Sequence, residues 1–201
     1  MLRLPTLGLA FALVLAGATA ASATTFSFHC ISGDGGGACA IPIEELSVEV
    51  TDLGGGEVSF TFHNDDGDSS SIVSIYFDDD VDLLADPEID DGNGVDYAAG
   101  GSPGNLPSGN VEDFDAHRVF SAANPQKANG VGPGESVTIR FTASFADVVE
   151  ALESGELRVG LHAPGFKNHG NKSFVNDVQG VPEPGLLALL AIGAGALVRR
   201  R

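Results

Sequence analysis

Apolar residues at every second position dominate the middle of this 201-residue chain, and that periodicity admits little except antiparallel β structure. Leu46, Val48 and Val50 alternate with Ser47, Glu49 and Thr51, and Val58, Phe60 and Phe62 alternate with Ser59, Thr61 and His63. Successive side chains of a strand point to opposite faces, so each run describes a strand with one buried face and one wet one. Gly54-Gly55-Gly56 lies between the two runs and makes residues 46–64 a hairpin. The pattern recurs at Val73, Ile75 and Phe77, at Val137, Ile139, Phe141 and Ala143, and at Leu157, Val159 and Leu161, with shorter stretches at 26–31, 118–122 and 174–178. About eight strands of this kind predict an all-β domain, an antiparallel two-layer β-sandwich of jelly-roll or Ig-like type. One short helix should interrupt it, because Ser144 can cap an apolar stripe of Phe145, Val148, Val149 and Leu152 that Gly155 would stop. Residues 83–115 are rich in glycine, asparagine, aspartate and proline and keep no period, which fits a functional loop or a mobile insertion equally well.

Both ends of the chain read as addresses. Met1-Leu2-Arg3, the apolar run Leu4 to Leu15 and the small-residue site Ala21-Ser22-Ala23 compose a secretory signal peptide, cut to leave Thr24 first. The C-terminus carries Val181-Pro182-Glu183-Pro184-Gly185, then thirteen apolar or glycine residues from Leu186 to Val198, then Arg199-Arg200-Arg201. Thirteen residues fall short of the roughly 20 of a comfortable span, and the arginines match the positive-inside bias. The segment therefore reads as a transient inner-membrane anchor with its C-terminus cytoplasmic. The prolines stop any helix from extending upstream, so 181–185 should stay extended and open to a membrane protease.

This tail resembles the PEP-CTERM sorting signal of bacterial exported proteins. The resemblance implies cleavage by an exosortase-type membrane processing enzyme, passage across the inner membrane to the cell surface or extracellular matrix, and an association with exopolysaccharide. The body is similar to a group of uncharacterised exported proteins bearing the same signal, on Tyr76-Phe77-Asp78-Asp79, Gly101 to Pro107, Gly132 to Ser136, Phe145 to Val148 and Gly160 to Phe166. That similarity implies class and location and no activity. The organisation expected is a signal peptide at 1–23, a β-sandwich domain at 24–180 and the sorting tail at 181–201.

Charge narrows the partners. All but Glu183 of the 28 acidic residues, and only six of the ten basic ones, lie between 24 and 180, so the domain is more acidic than the whole chain, whose formal net charge is −18. Such a surface repels nucleic acid and anionic membrane faces and attracts cations or basic partners. Nucleic-acid binding is excluded. Cys30 and Cys39 flank a glycine-rich loop, and in an oxidising exterior they most simply form one disulfide, worth ~2 to 3 kcal/mol on the chain-entropy model.

Candidate chemistry is sparse. Gly67-Asp68-Ser69 is similar to the nucleophile segment of some hydrolases, yet Ser70-Ser71 follows where those families show other residues, and no G-x-S-x-G or H-E-x-x-H occurs. His162 and His169 could approach around Pro164-Gly165 to share a metal, although lone histidines on strands and loops usually face solvent. The acidic clusters carry more. Asp78, Asp80 and Asp82 project alternately from a strand end, Asn64, Asp66 and Asp68 line a turn, and Asp90, Asp91, Asn93 and Asp96 surround glycines. Oxygen-rich turns suit calcium, so Asp78, Asp80 and Asp82 are candidate ligands of a weak structural calcium, set against a plain solvated acidic surface. No cofactor beyond that is expected.

Three classes of function are compatible with these features: a non-catalytic surface or matrix protein that meets exopolysaccharide or other surface proteins, a carbohydrate-binding module, and an uncharacterised hydrolase. A sugar-stacking face would need exposed aromatics, and the chain has no Trp and only Tyr76 and Tyr97. Non-reducing peptide mapping of the mature protein should recover Cys30 and Cys39 in one linked species and neither Met1 to Ala23 nor Leu186 to Arg201. Two titratable thiols in unfolded, unreduced protein would contradict the pairing.

Overall fold

The computed structural model describes residues 21–32, 46–65, 69–166 and 170–182. Cys39, Asp66, Gly67 and Asp68, His169, the apolar run Leu4 to Leu15 expected within a signal peptide, and everything from Glu183 to Arg201 lie outside those residues.

Ten strands form: β1 (Ala23–Cys30), β2 (Leu46–Gly54), β3 (Glu57–Asn64), β4 (Ser74–Asp79), β5 (Ala85–Asp91), β6 (Tyr97–Ala99), β7 (Arg118–Ala122), β8 (Glu135–Thr142), β9 (Leu157–Phe166) and β10 (Gly170–Pro182). Every pairing is antiparallel, and the strands follow one another in a single sheet in the order β5-β8-β3-β2-β1-β10-β9-β4-β7-β6. The all-β antiparallel class expected from the alternation is present, and each of the eight anticipated strands is found. Two points are corrected. The sheet has ten strands, and its hydrogen bonding is continuous where two separate layers were expected. β5 and β6 come from the stretch that keeps no period. β5 is an edge strand with almost every side chain exposed, bearing Asp86 at a positive φ and Pro87; only Ile89 of it packs against the core, too little to reveal the strand.

The sheet bends over on itself, bringing its two edge strands near one another. Phe77 of β4 marks the crossing. Its ring meets Phe60 and Phe62 of β3 at 5.2 and 6.2 Å, Phe141 of β8 at 5.1 Å and Phe120 of β7 at 5.8 Å, all edge-to-face. β3 and β8 sit near one end of the strand order and β4 and β7 near the other, so these contacts cross the interior. Edge-to-face aromatic pairs add about 0.5–1.5 kcal/mol each beyond the area they bury. Phe26, Val48, Val50, Ile139, Val159 and Leu161 extend the same core.

The expected hairpin and helix are found. β2 and β3 pair from Leu46↔Asn64 to Gly54↔Glu57, with Gly54, Gly55 and Gly56 at φ between 67° and 85°, a conformation that glycine adopts without steric cost. Helix α2 (Phe145–Ser154) begins where the Ser144 side chain accepts from the Asp147 N–H and ends at left-handed Gly155. Val148, Ala151 and Leu152 are buried, and the helix packs on β2, β9 and β10. A one-turn helix, α1 (Gln126–Asn129), and a 3-10 turn at Gly109–Val111 add to the single helix expected.

β4 is buried on both faces, which period-two patterning does not anticipate. Its inner face carries Ile75 and Phe77; its outer face carries Tyr76 and Asp78 under a cover made by residues 103–116. Leu106 and Phe114 of that cover form a second small core with Tyr76, Ile31 and Val175. Gly160 on neighbouring β9 makes room for it, since a Cβ there would stand 2.8 Å from Leu106 Cδ2 and 3.0 Å from Phe114 Cζ. Phe77→Ala should cost about 3–5 kcal/mol in urea unfolding, the usual range for emptying a large aromatic site; an effect below that range would show that the crossing does not hold the sheet closed.

Candidate functional site

The outer end of β4 gathers the densest polar chemistry among the described residues. Ladder register assembles it. β4 pairs with β7 through Phe77↔Arg118 and with β9 through Asp78↔Arg158, and the His117 N–H donates to the Phe77 carbonyl. Asp78 therefore has Arg158 on one side and His117 on the other.

Asp78 is 1 % exposed because the cover lies over it. Its Oδ2 accepts from the Asp115 N–H at 3.1 Å and from Arg158 Nη2 in a short contact. Arg158 also donates to the carbonyls of Glu112 at 2.6 Å and Asp113 at 2.8 Å, with its guanidinium 5.4 Å from the centre of the Phe114 ring. One arginine thus clasps the cover to the sheet. Asp78 Oδ1, in contrast, has no hydrogen-bond partner; His117 Nδ1 lies 3.4 Å from it. That nitrogen accepts from the Asp79 N–H at 3.1 Å, which places the ring proton on Nε2.

Asp79 points the other way, as the next residue of a strand must. It accepts from the N–H groups of Leu83 and Leu84 at 2.9 and 3.0 Å and from Arg118 Nη1 at 3.0 Å, which ties off the turn leading into β5. A cavity of about 330 Å³ beside Arg118 is lined by Pro87, Gly100, Gly101, His117, Arg118 and Phe120.

Of the three carboxylates singled out from sequence, the structure brings Asp78 and Asp80 together and puts Asp82 elsewhere. Asp82 is exposed and faces Arg118 Nη2 at 3.6 Å. The third member of the group is His117: ligand atoms of Asp78, Asp80 and His117 all lie within 4.8 Å of one another. His117 and Arg158 were missed because each is remote in sequence from the acids. Scarcity was a signal for the arginine alone, since a domain with six bases sets two of them, Arg118 and Arg158, on Asp79 and Asp78; nothing in the sequence marks His117.

Described members of the other acidic clusters are engaged in structure. Asp90 pairs with Arg140 at 2.6 Å on the exposed surface, Asp91 accepts from the Tyr97 N–H at 2.9 Å, and Asn64 donates to the Val131 and Ser70 carbonyls. His162 meets Ser173 Oγ at 3.3 Å, and burial lowers its pKa below the ordinary histidine value. Ser69 is exposed, while Gly67 and Asp68 lie outside the described residues. Tyr76 and Tyr97 are both interior; the Tyr97 hydroxyl donates to the Ile72 carbonyl, and burial raises its pKa far above the usual tyrosine value.

The two ends of the domain meet in one ladder. Thr24 pairs with Pro182 and Thr25 with Val181, so residues 21–23, where signal cleavage is expected, adjoin 181–182, where the expected sorting tail begins. Val181 and Pro182 are extended as expected and end β10, paired with Thr25 and Thr24. Cys30 ends β1 opposite Phe174. No helix among the described residues is long and apolar enough to cross a membrane.

No protein-family model matches the chain, and no curated protein matches it in sequence. Among solved structures, a chain from work on pH-induced modulation of Streptococcus parasanguinis adhesion by Fap1 fimbriae is similar at 13% identity with a TM-score of 0.42, over 78% of this chain and 94% of that one. Similarity that low defines no shared activity.

A buried acid and an exposed one set a stability contrast. Asp79→Ala should cost about 3 kcal/mol or more at pH 7, because it strands two turn amides and removes the buried partner of Arg118. Asp90→Ala, at an exposed pair, should cost no more than about 1 kcal/mol. Equal urea midpoints for the two variants would contradict the role assigned to Asp79.

Proposed function

We infer that this chain is an exported, non-catalytic surface or extracellular-matrix protein of a bacterium. On this reading the signal peptide takes it across the inner membrane, and the tail, Val181-Pro182-Glu183-Pro184 with Arg199-Arg200-Arg201, hands it to an exosortase-type enzyme after transient anchoring. The β domain then meets exopolysaccharide or other surface proteins. The observation that carries the proposal is the pair of address segments at the two ends of one acidic β domain. Their attachment points are neighbours, Thr24 against Pro182, so both segments can reach one membrane without threading through the fold. A cut on the tail side of Pro182 would leave the β1–β10 ladder whole.

A carbohydrate-binding module is the second reading, and the burial of Tyr76 and Tyr97 weighs against it, because sugar-stacking faces use exposed rings. The hydrolase reading rests on Ser69 alone among the described residues.

Fractionation of the native host tests the proposal. In wild-type cells the protein should reach the surface or matrix fraction lacking residues 1–23 and the arginine tail. In a strain without the processing enzyme it should accumulate in the inner membrane with the tail intact. Recovery from the cytosol with Met1 to Ala23 still attached would overturn the reading.

A further inference from the structure

We propose that Asp78, Asp80 and His117 form a site for one divalent first-row transition-metal ion of the zinc class, at the outer end of the β4–β7 ladder. A cluster of acids would not by itself indicate a ligand on so acidic a surface. The independent observation is Asp78 Oδ1. It is buried, it lacks any hydrogen-bond partner, and it faces His117 Nδ1 at 3.4 Å. A buried carboxylate oxygen without a partner is costly, and a cation supplies what it lacks.

The spacing suits a small ion. Bonds of about 2.0–2.1 Å in a tetrahedral arrangement separate adjacent ligand atoms by about 3.4 Å. Asp80 offers a third ligand within 4.8 Å of the other two, and since Asp80 and His117 are exposed the remaining coordination positions open to water. Small movements of Asp80, a turn residue whose only described bond is its N–H to the Glu156 carbonyl, complete the approach.

The donor set chooses the metal. Calcium takes 6–8 oxygen ligands and magnesium holds its waters in an octahedron, whereas an imidazole nitrogen with two carboxylates favours zinc and its neighbours. His117 already has the tautomer required, with its lone pair on Nδ1, and a bound ion would take that lone pair over from the Asp79 N–H. Supporting contacts are in place: Arg158 and the Asp115 N–H hold the second oxygen of Asp78, and the Phe77 carbonyl fixes the His117 backbone. The Arg158 charge offsets one of the two carboxylates, so binding should be moderate rather than tight. Asp82, turned toward Arg118, is not a ligand.

The test is calorimetric titration of zinc chloride into full-length, untagged protein that has been purified in detergent and stripped with chelator. Wild-type protein and Asp82→Asn should each bind an ion that Asp80→Asn and His117→Ala lose by about tenfold or more in affinity. Asp80→Asn removes no described side-chain bond, so it remains informative if His117→Ala folds poorly. X-ray absorption at the zinc edge should show one imidazole nitrogen among oxygen donors. Absence of zinc uptake by the wild type at millimolar concentration, unchanged affinity in Asp80→Asn, or stronger binding of calcium than of zinc would each overturn the proposal.

Discussion

The fold depends on the ring of Phe77. A long antiparallel sheet has two edges and two faces, and without a reason to bend it would leave one face of every strand in water. Phe77 provides the reason by meeting Phe60, Phe62 and Phe141 from strands far away in the sheet order, together with Phe120 from its neighbour. Because edge-to-face geometry is directional as well as apolar, the cluster fixes how the two halves of the sheet approach one another.

Closing the sheet around that cluster leaves the outer face of β4 to be dealt with, and the chain covers it with residues 103–116. The cover is thin. Leu106 and Phe114 supply its apolar contacts, Gly160 gives them room, and Arg158 ties its backbone to Asp78. In a domain this acidic, a buried aspartate is tolerable only beside a base, and Asp78 and Asp79 each have an arginine. The same burial that makes the clasp strong leaves one oxygen of Asp78 turned toward His117, on the rim where strand, turn and cover meet.

How far the sequence discloses this follows from what each segment buries. Strands with one apolar face, such as 46–50 and 58–62, announce themselves by alternation, and α2 does so by its stripe and caps. β5 and β6 escape because an edge strand that packs only Ile89 on the core shows no apolar alternation to read, and a three-residue strand has no period. The double burial of β4 escapes because its outer face carries Tyr76 and Asp78, which read as wet; only the cover makes them interior. At the site, Asp78 and Asp80 were legible from spacing, while His117 arrives through the β4–β7 register and Arg158 through the β4–β9 register, neither of which local sequence encodes.

Native-state hydrogen exchange probes the claim that one aromatic crossing holds a single continuous sheet. Amides of β3, β4, β8 and β9 should exchange only through a common, global opening, with matching free energies and a shared denaturant dependence, while β5 and β6 open earlier. Two sets of amides with distinct opening energies, β3 and β8 separate from β4 and β9, would mean that the halves fold independently and would contradict the account.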